Sequence, residues 1–213
     1  SYVYAGEGEV MEQRNWHRQT SVHNTVTLDN KNLETTESVT KLWQPEGNIQ
    51  TLVTENPSYK NFKHRRSVFF VDNTYFVIVD EVSGSAKGSV NLHYQMPKGE
   101  IANSRKDMTF LTQFEDGSNM KLQCFGPEGM SMKKEPGWCS TAYRKRYKRM
   151  NVSFNVKKDN ENAVRYITVI YPVKKSADAP KFDAKFKNKT FDENGLEIEV
   201  KVNGKKQSLK YKL

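Results

Sequence analysis

Residues 196–211 read LEIEVKVNGKKQSLKY. Leu196, Ile198, Val200 and Val202 alternate with Glu197, Glu199 and Lys201, the two-residue period of a strand with one apolar face. Asn203-Gly204 then supplies the pair that accepts positive φ in a type I′ turn, and Leu209 and Tyr211 return on the far side. A hairpin with one apolar face cannot stand alone in water; it implies a second layer to pack on.

The same period runs through the rest of the chain. Val90, Leu92 and Tyr94 alternate with polar residues, as do Met120, Leu122 and Cys124, and Met150, Val152, Phe154 and Val156. Residues 68–71 and 75–79 are unbroken apolar runs around Asp72-Asn73, which predicts a hairpin of central strands covered on both faces. Residues 163–171 predict a further strand, ended by Pro172. No stretch holds a 3.6-residue apolar period beyond a turn or two. The chain is therefore expected to be all-β, an antiparallel β-sandwich forming a single domain over residues 1–213. Residues 174–189 are expected to be its long surface connection.

The 36% hydrophobic content is modest, but 10 Tyr, 11 Phe and 3 Trp add large buried areas. No apolar run approaches the roughly 20 residues that span a bilayer, so no membrane partner is expected. The formal charge of +9, from 34 Lys+Arg against 25 Asp+Glu, favours a polyanionic partner. Cys124 and Cys139 are too few for a disulfide scaffold or a Cys-rich zinc site, and leave one bridge or two free thiols open. The opening at Ser1, with no methionine and no leader, suggests a cut from a larger protein.

Templates for catalysis are missing: there is no Gly-x-Ser-x-Gly elbow, no Gly-rich phosphate loop and no His-Glu-x-x-His pair. Four histidines occur, His17, His23, His64 and His93. His64, in FKHRRSV, reads as a surface residue at a strand entrance, and His93 as a structural histidine within a strand. In RNWHRQTSVHNTVTLDNKN, residues 14–32, a strand over 21–28 puts Ser21, His23, Thr25 and Thr27 on one face. Val22, Asn24, Val26 and Leu28 take the other, so His23 projects from a polar face, where sheets meet ligands.

YRKRYKRM, residues 143–150, places Arg144, Lys145, Arg146, Lys148 and Arg149 around Tyr147. Cations on both faces exclude a buried strand and predict an edge, a hairpin tip or a loop open to solvent. Guanidinium forks match sulfate and carboxylate oxygens, and tyrosine stacks on sugar rings, so these five cations are the candidate substrate contacts. The alternative is a solvated positive edge that discourages strand addition.

Several blocks are similar to a known family. Tyr2 and Tyr4, Arg14-Asn15-Trp16, Arg18, Thr20, His23-Asn24-Thr25-Val26 and Leu28-Asp29 carry the resemblance most specifically. HRRSVFFVDNTYFVIVDEVSG, VNLHYQM, and Gly137, Trp138, Ser140 and Tyr143 extend it to about residue 171. Together they resemble the heparinase II/III family of bacterial polysaccharide lyases. The resemblance implies the C-terminal β-sandwich of an enzyme whose N-terminal helical toroid, its intramolecular partner, is absent from this chain. It implies β-elimination at a uronic acid in heparan sulfate or a related acidic polysaccharide, in the periplasm, with no nucleic acid involved. It also implies that no catalytic residue lies in the chain, because the family's acid–base groups come from elsewhere. Of a structural divalent metal site, zinc-like or calcium, only His23 maps here, so the site is incomplete in this chain. Two rival readings remain: a glycan-binding module without catalysis, and a lyase of the same family acting on alginate or chondroitin.

Overall fold

The C-terminal hairpin forms as the sequence predicts. In a computed structural model that describes residues 7–34, 36–142 and 145–213, β14 (Gly195–Val202) pairs antiparallel with β15 (Lys205–Lys212). Asn203 and Gly204 take φ of 49° and 83° in the turn between them. On the other edge of β14 lies β13 (Phe182–Phe186). About a third of the expected 174–189 connection is thus a strand. Its inward Phe182, Ala184 and Phe186 are too few, among so many lysines, to show as a period.

This small sheet covers one face of a central eight-stranded sheet. The central sheet runs β2 (Val39–Gln44), β3 (Ile49–Tyr59), β4 (Phe62–Val71), β5 (Tyr75–Ser83), β12 (Val164–Val173), β9 (Asn119–Phe125), β8 (Thr109–Thr112), β7 (Ile101–Ser104). A four-stranded sheet covers the other face, in the order β1 (Val26–Leu28), β6 (Gly88–Gln95), β11 (Lys145–Lys158), β10 (Ser131–Ala142). Every pairing is antiparallel. The expected sandwich is present, and the C-terminal hairpin adds a third layer.

Each interface has its own apolar cluster. Leu92, Tyr94, Val152 and Phe154 of the four-stranded sheet meet Leu122, Cys124 and Tyr166. Leu196, Ile198, Val200 and Leu209 meet Phe69, Val77, Val79, Ile167 and Val169 on the opposite face. Side chains alternate along a strand, so a strand between two clusters reads as an unbroken apolar run. That explains residues 68–71 and 75–79, whose turn at Asp72 and Asn73 has φ of 50° at both positions. Cover on the second face is incomplete, however. Phe76 is 40% exposed, and its ring stacks on Phe70 at 4.5 Å.

Two expectations about termini and helices need correction. β12 continues through Pro172 to Val173 rather than ending before it. Its pairing with β5 stops at Ile170, so Pro172 has a ladder partner only on the β9 side and its missing N–H removes no bond on the other. Residues 9–17 form a helix, α1 (Glu9–His17), where no helix was expected. None of its residues is buried, so no apolar stripe could announce it. Its charges do agree with the helix dipole, with Glu9 and Glu12 in the first turn and Arg14 and His17 in the last.

Both cysteines are free, with Cys124 buried and Cys139 half-buried. Burial pushes the Cys124 thiol well up, which leaves it an inert core residue.

Candidate functional site

The first half of the strand expected over residues 21–28 is instead a compact turn. A single 3₁₀ turn covers Thr20–Val22, and β1 is only three residues long. Val22 N–H donates to Gln19 O at 3.3 Å and His23 N–H to Thr20 O at 3.1 Å. Thr20 is buried and tied at both ends: its N–H donates to Asn32 Oδ1 at 2.8 Å, and its hydroxyl accepts from Leu33 N–H at 2.9 Å. These side-chain bonds offer the backbone an alternative to the sheet ladder, which is why the strand starts late. His23 is exposed as expected, but because it sits on this turn, not on a polar strand face.

The ring of His23 is oriented by its own turn. Nδ1 lies 2.8 Å from Gln19 O, and a carbonyl only accepts, so Nδ1 carries the hydrogen. Nε2 of the neutral ring is left with the free lone pair, the pattern of a ligating histidine braced through its other nitrogen.

Asn24 fastens the turn to the sheets. Its side-chain Oδ1 accepts from Gln95 N–H at 2.6 Å, and Gln95 Nε2 donates to Ser21 O at 3.0 Å. Its backbone carbonyl accepts from Arg66 Nη1 at 2.5 Å. Arg66 is held in turn by Nε donating to Asp80 Oδ1 at 2.7 Å, and Asp80 also takes His64 Nε2 at 2.6 Å. His64 is therefore 3% exposed and paired with a buried carboxylate, not a surface residue. The sequence hid this because the partner lies on the next strand, opposite a turn. His93 is buried as read, with Nε2 2.9 Å from Thr27 Oγ1, and burial lowers its pKa to about 4.

The basic run forms one arm of the β10–β11 hairpin. Arg144 lies outside the described residues, as do Tyr143, Tyr2 and Tyr4. β6 pairs with β11 only from Asn151 onward, so among the described residues β10 is the only strand paired with residues 145–150. The expected hairpin end is confirmed, but the run is not uniformly open to solvent. Lys145 and Lys148 are exposed. Arg146 donates to Glu9 Oε1 at 2.8 Å and lies 4.3 Å over the Trp138 ring. Arg149 is half-buried and uses all three guanidinium nitrogens: Nε donates to Trp138 O at 2.7 Å, Nη1 to Met96 O at 3.0 Å and Nη2 to Gln95 Oε1 at 2.8 Å. Charge runs are read from sequence as solvated because carbonyl acceptors carry no sequence signal.

Gly137 shapes this arm. A Cβ there would strike the Asn151 amide, so only glycine lets that side chain lie across β10. Next to it Trp138 faces α1 across a cleft of about 460 Å³ lined by Glu9, Glu12, Gln13, Trp16, His17, Trp138 and Arg146. His17 stands edge-on to Trp16 at 4.8 Å. Burial lowers its pKa, and the positive Arg149 and Arg146 nearby lower it further. The sequence reading assigned no role to His17, to the Trp16–Trp138 cleft, to Gln95 or to Arg66. The cleft thus presents two indoles and, lying on one of them, the Arg146 guanidinium.

A metal finds one donor here. Among the described residues no group of three His, Cys, Asp or Glu could hold an ion, and the oriented ring of His23 offers one nitrogen.

Comparison with known proteins follows from this geometry. A family model described as "Heparinase II/III-like, C-terminal" matches residues 1–185. A heparin-sulfate lyase of Bacteroides stercoris is 88% identical over 213 residues, covering 100% of this chain and 32% of the relative. A heparin-sulfate lyase of Pedobacter heparinus is 32% identical, covering 97% of this chain and 31% of its own length. Among solved structures, heparinase III superposes with a TM-score of 0.90 at 30% identity, covering 95% of this chain and 31% of that one. The heparan sulfate lyase HepC from Pedobacter heparinus also gives 0.90, at 32% identity, covering 100% of this chain and 33% of that one. The chain thus spans about a third of the length of the relatives it matches.

Proposed function

The chain belongs to the heparinase II/III-like family, and from that footing we propose that it is the C-terminal part of a lyase cleaving heparan sulfate or a related acidic glycosaminoglycan by β-elimination. The observation that carries this reading is the gathering of His17, His23, Arg146, Trp16 and Trp138 at one end of the molecule, from segments far apart in sequence. The indoles offer flat apolar faces for sugar rings. Arg146 and the exposed Lys145 and Lys148 offer charge for sulfate and carboxylate. β-Elimination needs a base for the proton beside the uronate carboxylate and an acid for the departing glycosidic oxygen, but no nucleophile; in this proposal both come from the N-terminal helical part of the same enzyme.

His23 would supply one ligand, through Nε2, to a divalent metal whose other ligands come from that remaining part. An imidazole donor suits zinc rather than calcium. When bound, the ion would brace the wall of the site. The turn itself orients the ring, as described above.

The deciding experiment follows the ultraviolet absorbance of the unsaturated uronate made by the full-length protein, with heparan sulfate, chondroitin sulfate and alginate compared. Turnover of heparan sulfate well above the other two is expected. Binding of heparan sulfate without any product would favour the non-catalytic glycan-binding module, and preference for another polymer would move the substrate assignment.

A further inference from the structure

We propose that Arg149 and Gln95 are positioning residues, which lock the β10–β11 hairpin to the turn that carries His23, and that Arg149 is not a sulfate contact. This rests on the reading of the His23 end as the working site.

The geometry forms one continuous path. Arg149 spends all three of its donor nitrogens inside the protein: on the Trp138 carbonyl of the hairpin, on the Met96 carbonyl after β6, and on the Gln95 side chain. Gln95 then reaches the turn twice, through Nε2 to Ser21 O and through its backbone N–H to Asn24 Oδ1. His23 lies between those two anchored residues. Three of the five guanidinium donors are spent in these bonds, Nε wholly, and the half-buried fork is aimed at its own backbone, so what it can turn toward a sulfate is one N–H on each Nη of a side chain that is not free to reorient. The Nε bond holds the Trp138 backbone, which carries the ring on which Arg146 lies. The sugar-facing indole and the imidazole thus share one brace. Groups in a site must be held to within about half an ångström, and that calls for side chains locked by their own partners.

The test uses the full-length enzyme on heparan sulfate. Arg149→Ala, Gln95→Ala and the double variant are compared with Lys157→Ala, an exposed cation at the far end of β11. In the first three, kcat is expected to fall about 10- to 100-fold. The double variant should be no worse than the worse single one, because both cut the same path. The salt dependence of KM should stay as in the parent. Amide exchange at Val22, His23 and Thr25 should speed up in Arg149→Ala and Gln95→Ala and stay unchanged in Lys157→Ala, a readout that needs no turnover. A raised KM with flattened salt dependence and unchanged exchange in Arg149→Ala would overturn the proposal, as would additive losses in the double variant. If Arg149→Ala fails to fold, Gln95→Ala decides alone, since it leaves the two backbone bonds of Arg149 in place. If the parent protein cleaves no acidic glycan, the proposed function fails, and the exchange data still decide the brace.

Discussion

Asp80 and Glu81 are adjacent in β5, fully buried, and point to opposite faces of the central sheet. Asp80 takes His64 and Arg66 on the side of the four-stranded sheet, and through Arg66 reaches the turn that carries His23. Glu81 takes Arg65 through Oε2 at 2.6 Å and Arg165 through Oε1 at 2.8 Å on the side of the C-terminal sheet. One dipeptide therefore anchors two layers, the first bearing on the site and the second on the fold.

Burial alone would raise the Asp80 pKa, but the Arg66 and His64 beside it outweigh that and hold it down at about 2, from 3.8. A carboxyl depressed in the folded state stabilises above its unfolded pKa and loses that contribution as pH falls through the folded one. Asp80→Asn should cost about 3–5 kcal/mol near neutral pH, because it strands the Arg66 charge. The gap between parent and variant should shrink by about 2 kcal/mol between pH 4 and pH 2. Urea midpoints across that range check it, and a constant gap would remove Asp80 from the acid response.

Glu81 leaves two buried arginines unpaired when it is lost. Arg65 also donates to the carbonyls of Asp192, Glu193 and Gly195, and Arg165 to that of Asn188, so Glu81 pins the loop into β14. Glu81→Gln should destabilise by about 3–5 kcal/mol. Amide exchange should rise first in residues 188–195. Exchange that rises evenly over all three sheets would show that the third layer does not depend on the triad.

Glu9 occupies Arg146 in the absence of an external anion, across an exposed contact. Glu9→Gln should strengthen retention on immobilised heparin. Lys145→Ala with Lys148→Ala should weaken it, each lost contact lowering the log–log salt slope by a little under one unit, by analogy with phosphate polymers. Lys205→Ala with Lys210→Ala removes equal charge from the C-terminal hairpin. If both pairs elute together, the basic arm acts only through net charge.

His23→Ala should lower bound zinc in the full-length protein, since a nitrogen donor is lost while the turn keeps its backbone bonds. Metal analysis at equal protein concentration measures this. Full metal content in the variant would leave His23 as an exposed turn residue and nothing more.

The sequence by itself determined the class of fold. The two-residue period from Val90 to Tyr94, and again from Leu196 to Tyr211, sets which side chains share a face, and Asn203-Gly204 and Asp72-Asn73 set where the chain reverses. Those are local properties of backbone geometry and need no knowledge of the partner. The family likeness in residues 14–29 likewise lay in the residues themselves and singled out His23. What stands opposite each face was decided only in three dimensions. The unbroken run at 68–71 announces cover on both faces but cannot say which strands supply it, and nothing in the pattern says that α1, with no buried side chain, forms at all. The charged residues were the hardest to place, because sequence treats charge as solvated. His64, Arg65 and Arg149 are each buried or half-buried on partners 11 to 130 positions away, and an ion's surroundings depend on whichever strand the topology lays beside it.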